Sequence, residues 1–143
     1  MSLARRLPNR MSMDMTNGAS ILVVEDDAAV RNALRDVLRD AGYSVMVAAD
    51  GAVALGAIDG QPIGPDAVLL DLNMPHMDGS SFLQCLRSRP ESRRTPVIIV
   101  TGAARPTIPD GYSDVRLVRK PFDVNRLLAL VRLVIGSQPR PRN

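Results

Sequence analysis

Five positions in this 143-residue chain have the types and the spacing to do chemistry together. Glu25 and Asp26 follow the aliphatic run ILVV, Asp71 follows AVLL, Thr101 ends PVIIVT, and Lys120 closes VRLVRK. Each polar group therefore stands where an apolar run stops. If those runs are parallel strands of one sheet, their ends open on one crevice, and three carboxylates face a hydroxyl and an ammonium. Two like charges about 4 Å apart cost roughly 4 kcal/mol at an effective dielectric near 20, so such a trio calls for a cation. The donors are hard oxygens, which favours Mg²⁺ over Zn²⁺. Asp71, already ionised, is a nucleophile that needs no general base. A divalent ion held by Asp26 and Asp71 draws charge from an incoming phosphoryl group, and Lys120 and Thr101 are placed for its other oxygens. The chemistry this set supports is phosphoryl transfer to Asp71.

Any one of these acids alone reads as an idle, solvated strand end. The set of five makes that reading untenable. Lys120 adds weight because it is the only lysine, the other 17 basic residues being arginine. An ammonium acts as a point charge on one oxygen, whereas a guanidinium is a wider planar fork. Competing sites fail on specifics. The segment after the first run is EDDAAV, without the glycines of a dinucleotide or phosphate-binding loop. Hydrolases with an Asp nucleophile place a second acid two residues on, and here that position is Asn73. His76, the single histidine, reads as a loop residue, and Cys85, the single cysteine, as a core residue on a helical stripe.

The elements that must position these groups are legible from periodicity. ILVV (21–24) is a strand covered on both faces. Asp27 caps a helix whose apolar positions Val30, Leu34, Val37, Leu38 and Ala41 recur at helical spacing, and Gly42 ends it. YSVMVAA is a second strand, and Asp50 opens a small-residue helix. DAVLLD is the third strand, GSSFLQCLRS (79–88) the third helix, PVIIVT (96–101) the fourth strand and VRLV (115–118) the fifth. A last helix runs from about Asp123 to Ile135. Strand–helix alternation of this kind implies an α/β fold with a parallel sheet, right-handed crossovers and helices on both faces, its ligand site beyond the carboxyl ends of the strands.

Bulk properties narrow the function. The chain has one domain's length, 45% hydrophobic residues and only 3% aromatic ones, so its core is aliphatic. No apolar run approaches the ~20 residues of a membrane span, and the arginines near the N-terminus precede no apolar signal core. One cysteine forms no internal disulfide and suits a reducing cytoplasm. The net charge of +3 belongs to the tails, since Ser20–Gly136 carries 13 basic and 14 acidic residues. The fold thus has no basic surplus for nucleic acid. Residues 1–19 read as a disordered extension, 20–136 as the folded domain and 137–143 as a flexible tail.

In ILVVEDD, LLDLNMPHMDG, VTG and KPF, on these elements and in this order, the chain resembles the receiver domain of two-component response regulators. The resemblance implies a flavodoxin-like (βα)5 doubly wound sheet of five parallel strands in the order 2-1-3-4-5. It implies phosphorylation of Asp71 from a phosphohistidine on a sensor histidine kinase or histidine phosphotransfer protein, with Mg²⁺ as cofactor. Glu25, Asp26, Asp71 and the backbone carbonyl of Asn73 would hold the metal, Thr101 would be the switch hydroxyl, and Lys120 would contact the phosphoryl group before a cis peptide bond to Pro121. Two departures stand out. Leu117 occupies the position of the aromatic switch residue. Between strands four and five, GAARPTIPDGYSD is interrupted by Pro106, Pro109 and Gly111, so the fourth crossover helix is expected to be short or absent. The resulting expectation is a cytoplasmic, stand-alone receiver, monomeric or weakly dimeric, that signals by protein–protein contact or phosphorelay. It is expected to make no direct contact with DNA and to be a signalling phosphoacceptor rather than an enzyme. The alternative is a receiver-like binding module that acts independently of phosphorylation.

Overall fold

Unbroken aliphatic runs cannot leave one face in water, and here they become the buried centre of a sheet. The computed structural model describes residues 18–72, 74, 79–102, 112 and 114–136. Its strands are β1 (Ser20–Val24), β2 (Ser44–Ala48), β3 (Ala67–Leu70), β4 (Val97–Thr101) and β5 (Arg116–Arg119). Every recorded pairing is parallel and the order is β2-β1-β3-β4-β5, the doubly wound arrangement expected from the alternation. The helices are α1 (Ala28–Asp40), α2 (Gly51–Asp59), α3 (Gly79–Ser88) and α4 (Val124–Gly136), with a 3-10 turn at Pro90–Ser92.

The two-residue period of a strand sorts the core into two layers. Ile21, Val23, Leu69, Ile98 and Val100 face Leu34 and Leu38 of α1 and Leu127, Val131 and Val134 of α4. Leu22, Val24, Val68, Leu70, Val97 and Ile99 face Ala54 and Ile58 of α2 and Phe82, Leu83 and Leu86 of α3. Burying an aliphatic side chain of this size stabilises by roughly 1.5–3 kcal/mol, so the three central strands anchor the domain. The edges differ: β2 and β5 are each largely half-buried or exposed. Val47 and Leu117 show 37% and 36% of their surface.

Caps end and begin the helices where side-chain chemistry requires. Asp27 accepts from the N–H groups of Ala29 and Val30 at 2.9 and 3.1 Å, and Asp50 from Val53 N–H at 2.9 Å. Asp123 accepts from Asn125 N–H at 2.8 Å and so precedes α4 rather than belonging to it. Gly42, at φ 101°, takes the left-handed conformation that terminates α1. Gly79 is needed for proximity: a Cβ there would stand 2.9 Å from the Cα of Leu72.

At the amino-terminal end of the sheet, polar groups are knitted together. Ser20 N–H donates to Asp66 Oδ2 at 2.7 Å, and Asp66 N–H donates back to Ser20 O at 2.8 Å. Arg87 donates to the carbonyls of Thr95 and Ser92 at 2.6 and 3.3 Å and pairs with Asp114 at 3.2 Å. Arg89 pairs with Asp59 at 2.6 Å.

Several boundaries shift by one residue, two of them for a visible reason. Ala19, placed in the disordered extension, is buried, and its carbonyl accepts Ser44 N–H at 3.0 Å. The fifth strand spans 116–119 rather than 115–118, because Val115 N–H is taken by Tyr112 O in a turn at 3.1 Å. The expected loss of a helix between β4 and β5 falls on residues 103–111 and 113, outside the described residues. The expected tails, apart from Gly18 and Ala19, also lie outside them, as do Asn73 and His76.

Candidate functional site

β1, β3, β4 and β5 end side by side, and the register carries their next residues to one edge. Val24 pairs with Leu70, Leu70 with Ile99 and Ile99 with Leu117, so Glu25 and Asp71 emerge level, while Thr101 stands one residue further along β4 and Lys120 two further past β5, all at the carboxyl edge. The backbone pins this edge. Asp71 N–H donates to Val24 O at 3.0 Å, Glu25 N–H to Ala48 O at 3.0 Å, and Lys120 N–H to Thr101 O at 2.9 Å. The Lys120–Pro121 peptide bond is cis.

Glu25, Asp26 and Asp71 each present a carboxylate oxygen, and the three oxygens lie within 4.8 Å of one another. Glu25 is 1% exposed and Asp71 6%, while Asp26 faces solvent. Thr101 is buried at the end of β4. Lys120 reaches across the crevice: its Nζ stands 2.8 Å from Glu25 Oε1 and 3.6 Å from Asp71 Oδ2. The second oxygen of Glu25 accepts Asp27 N–H at 3.1 Å. Gly102 lies against the lysine stem, with the position of an added Cβ 3.9 Å from Lys120 Cβ and Cδ.

The electrostatics follow the burial. Desolvation pushes Glu25 above the ordinary carboxylate range, against the pull of the Lys120 hydrogen bond and Asp27 N–H, and the Asp71 charge pushes it further. Burial pulls Lys120 down, but its hydrogen bond to Glu25 and the charges of Asp71 and Glu25 outweigh that, and its pKa stands above the ordinary value. Both members of this pair are raised because Glu25 is the more deeply buried and Lys120 faces two acids. One ammonium thus serves two buried carboxylates, with Asp26 beside them. The donor set fits a hard divalent cation: oxygen ligands from two strand ends, one open to solvent for entry.

The structure therefore brings together five of the six site residues expected from sequence: Glu25, Asp26, Asp71, Thr101 and Lys120. The sixth, Asn73, lies outside the described residues. Cys85 is half-buried and packs against the core without belonging to its centre. Leu117 lines a groove of about 650 Å³ between β5 and α4, together with Pro121, Arg126, Leu130 and Leu133, so it is not a core residue. Sequence reading missed Arg31, whose Nη1 donates to the carbonyls of Glu25 and Asp26 at 2.9 and 3.3 Å. The one available signal was a cation in the first turn of a helix, where the dipole disfavours it.

A five-stranded doubly wound sheet with an acid cluster and a lysine at its carboxyl edge defines a flavodoxin-like signalling receiver of the two-component type. Residues 21–132 match the response regulator receiver domain family, and the chain belongs to it. It is 38% identical to the transcriptional regulatory protein TcrA of Mycobacterium tuberculosis, over 97% of this chain and 54% of that protein. The chain thus spans about half the length of the curated relatives it matches. Among solved structures it resembles the receiver domain of the sensor histidine kinase PA1611 of Pseudomonas aeruginosa, crystallised with magnesium in its active-site cleft. That likeness has a TM-score of 0.72 and 31% identity, covering 84% of this chain and 99% of that one. It also resembles the chemotaxis protein CheY4 of Vibrio cholerae, with a TM-score of 0.71 and 30% identity, covering 81% and 98%. No helix among the described residues is long and apolar enough to cross a membrane.

Proposed function

We propose that this receiver accepts a phosphoryl group on Asp71 from a phosphohistidine, carried by a sensor histidine kinase or a histidine phosphotransfer protein. An Asp71 carboxylate oxygen attacks phosphorus, the new O–P bond forms as the P–N bond breaks, and the imidazole nitrogen keeps the electron pair. Glu25, Asp26 and Asp71, and by the family resemblance the carbonyl of Asn73, would hold Mg²⁺, which would supply neutralisation of charge on the transferring oxygens. Lys120, now 3.6 Å from Asp71 Oδ2, is within a short side-chain adjustment of the product's oxygens. Thr101, at the end of β4, is the hydroxyl that follows the new charge.

The observation that carries this reading is the packing of three carboxylates with oxygens within 4.8 Å of one another, two of them meeting one lysine. An idle surface does not accumulate buried like charge. Signalling then proceeds by protein–protein contact or phosphorelay. A second reading draws on the relatives: TcrA is named a transcriptional regulator and is about twice as long, so a receiver of this kind can serve a DNA-binding region elsewhere in a chain. In both readings the receiver fold itself touches protein rather than DNA. The decisive experiment is intact mass after incubation with acetyl phosphate, with and without Mg²⁺, on wild type and Asp71→Asn. One Mg²⁺-dependent phosphoryl addition, absent from the variant, is expected. No addition to wild type under any metal would favour a binding module that ignores phosphorylation.

A further inference from the structure

The start of α1 is arranged against helix energetics. Its first turn holds no acidic residue, and Arg31 follows the Asp27 cap by four positions, where the positive end of the helix dipole repels a cation. A helical side chain leans toward the N-terminus, and Arg31 does so back over the loop that leaves β1. Its Nη1 bonds the carbonyl of Glu25 at 2.9 Å and that of Asp26 at 3.3 Å, and the residue is half-buried in doing so. These two residues carry the carboxylates that β1 contributes to the cluster with Asp71.

The two acids are secured differently. Glu25 is fixed through its side chain, by Lys120 at 2.8 Å and Asp27 N–H at 3.1 Å. Asp26 faces solvent, so the direction of its carboxylate depends on its backbone. Holding the carbonyls of residues 25 and 26 fixes the peptide planes on either side of the Asp26 Cα, and with them the direction of its Cα–Cβ bond. We propose that Arg31 is a positioning residue for cation binding: it holds the β1 exit loop so that the Asp26 carboxylate points at Asp71. The inference rests on the receiver reading above.

Charge and geometry make opposite predictions here, which gives the proposal a sharp test. A guanidinium beside a cation site repels the cation, so removing it as a mere charge would tighten Mg²⁺ binding. Removing a positioning contact loosens it, typically by ~10-fold or more for groups that orient metal ligands. Mg²⁺ is titrated calorimetrically into wild type, Arg31→Gln, Arg31→Lys and Asp26→Asn, with a thermal melt of each. We expect the Mg²⁺ Kd of Arg31→Gln to rise by ~10-fold, and that of Arg31→Lys, which keeps the charge but not the fork, to rise by less. Affinity in Arg31→Gln equal to or tighter than wild type overturns the proposal, as does a lowered melting temperature with unchanged affinity. If Arg31→Gln fails to melt cooperatively, Arg31→Lys decides, and wild-type affinity there overturns it. Failure of the receiver reading looks different: wild type itself then binds no Mg²⁺ and Asp26→Asn changes nothing.

Discussion

At the amino-terminal end of the sheet, Asp66 and Ser20 exchange hydrogen bonds, Arg87 ties two carbonyls to Asp114, and Arg89 meets Asp59. At the carboxyl end, Glu25, Asp26 and Asp71 crowd together, and Lys120 meets Glu25 and Asp71. Both ends place polar groups against the same aliphatic core, yet among the described residues only the carboxyl end gathers charge of a single sign. Buried polarity as such is ordinary and is satisfied by partners. Like charge held at close range is costly, and a fold keeps it where the cost is offset by a ligand or a reaction. The contrast between the two ends therefore separates scaffold from site without reference to any relative.

Substitutions should split the two ends. The largest effect is expected from Lys120→Met, which leaves Glu25, 1% exposed, without its ammonium. Stability in chemical denaturation should fall by about 3 kcal/mol at neutral pH, as for other broken buried pairs. A loss under about 1 kcal/mol would mean that Lys120 is not the counter-charge of this cluster. Arg87→Ala at the opposite end should cost about 2 kcal/mol, from the carbonyl hydrogen bonds at 2.6 and 3.3 Å that it abandons. The sign should then reverse: Asp71→Asn should stabilise the metal-free protein by about 1 kcal/mol, by relieving repulsion with Glu25. That gain should vanish when wild type is saturated with Mg²⁺, and destabilisation by Asp71→Asn in EDTA would erase the distinction between the two ends.

Acid should act on the ends in opposite directions. Glu25 is raised by burial, so its contribution to stability is fully present below the ordinary glutamate value and is lost as pH climbs through its raised value. Asp59 is depressed by its hydrogen bond from Arg89, so its smaller contribution is present above the ordinary aspartate value and is lost as pH falls through the depressed one. Carboxyl NMR titration of the metal-free protein should show Glu25 titrating above, and Asp59 below, their unfolded-chain values. Coincident midpoints would remove the electrostatic basis of the comparison.

Much of this was legible in the sequence because the site sits on punctuation. Asp71 and Glu25 end unbroken aliphatic runs, and a parallel sheet brings such ends together whatever lies between them. Asp27 and Asp50 were readable as helix starts by the same local logic, whereas Asp123, read as the first residue of the last helix, is its cap. Arg31 and Arg87 were not, because their partners are main-chain carbonyls, and carbonyls carry no residue type to recognise. The one-residue shift of β5 arose where Val115 and Leu117 are both apolar and the turn at Tyr112, not hydropathy, sets the start. Leu117, apolar on an edge strand, is placed by its exposure and not by its hydropathy.

The open sheet has two outermost strands, and they are unequally guarded against growth by strand addition. β5 reads RLVR, with a guanidinium at each end of its edge. β2 reads SVMVA, uncharged throughout, with Val47 37% exposed. Bulky charge on an edge deters the addition of a foreign strand, whereas an uncharged, β-branched edge invites it. β2 is therefore the edge at which strand addition is expected, and Val47→Lys is where a more aggregation-resistant variant would begin.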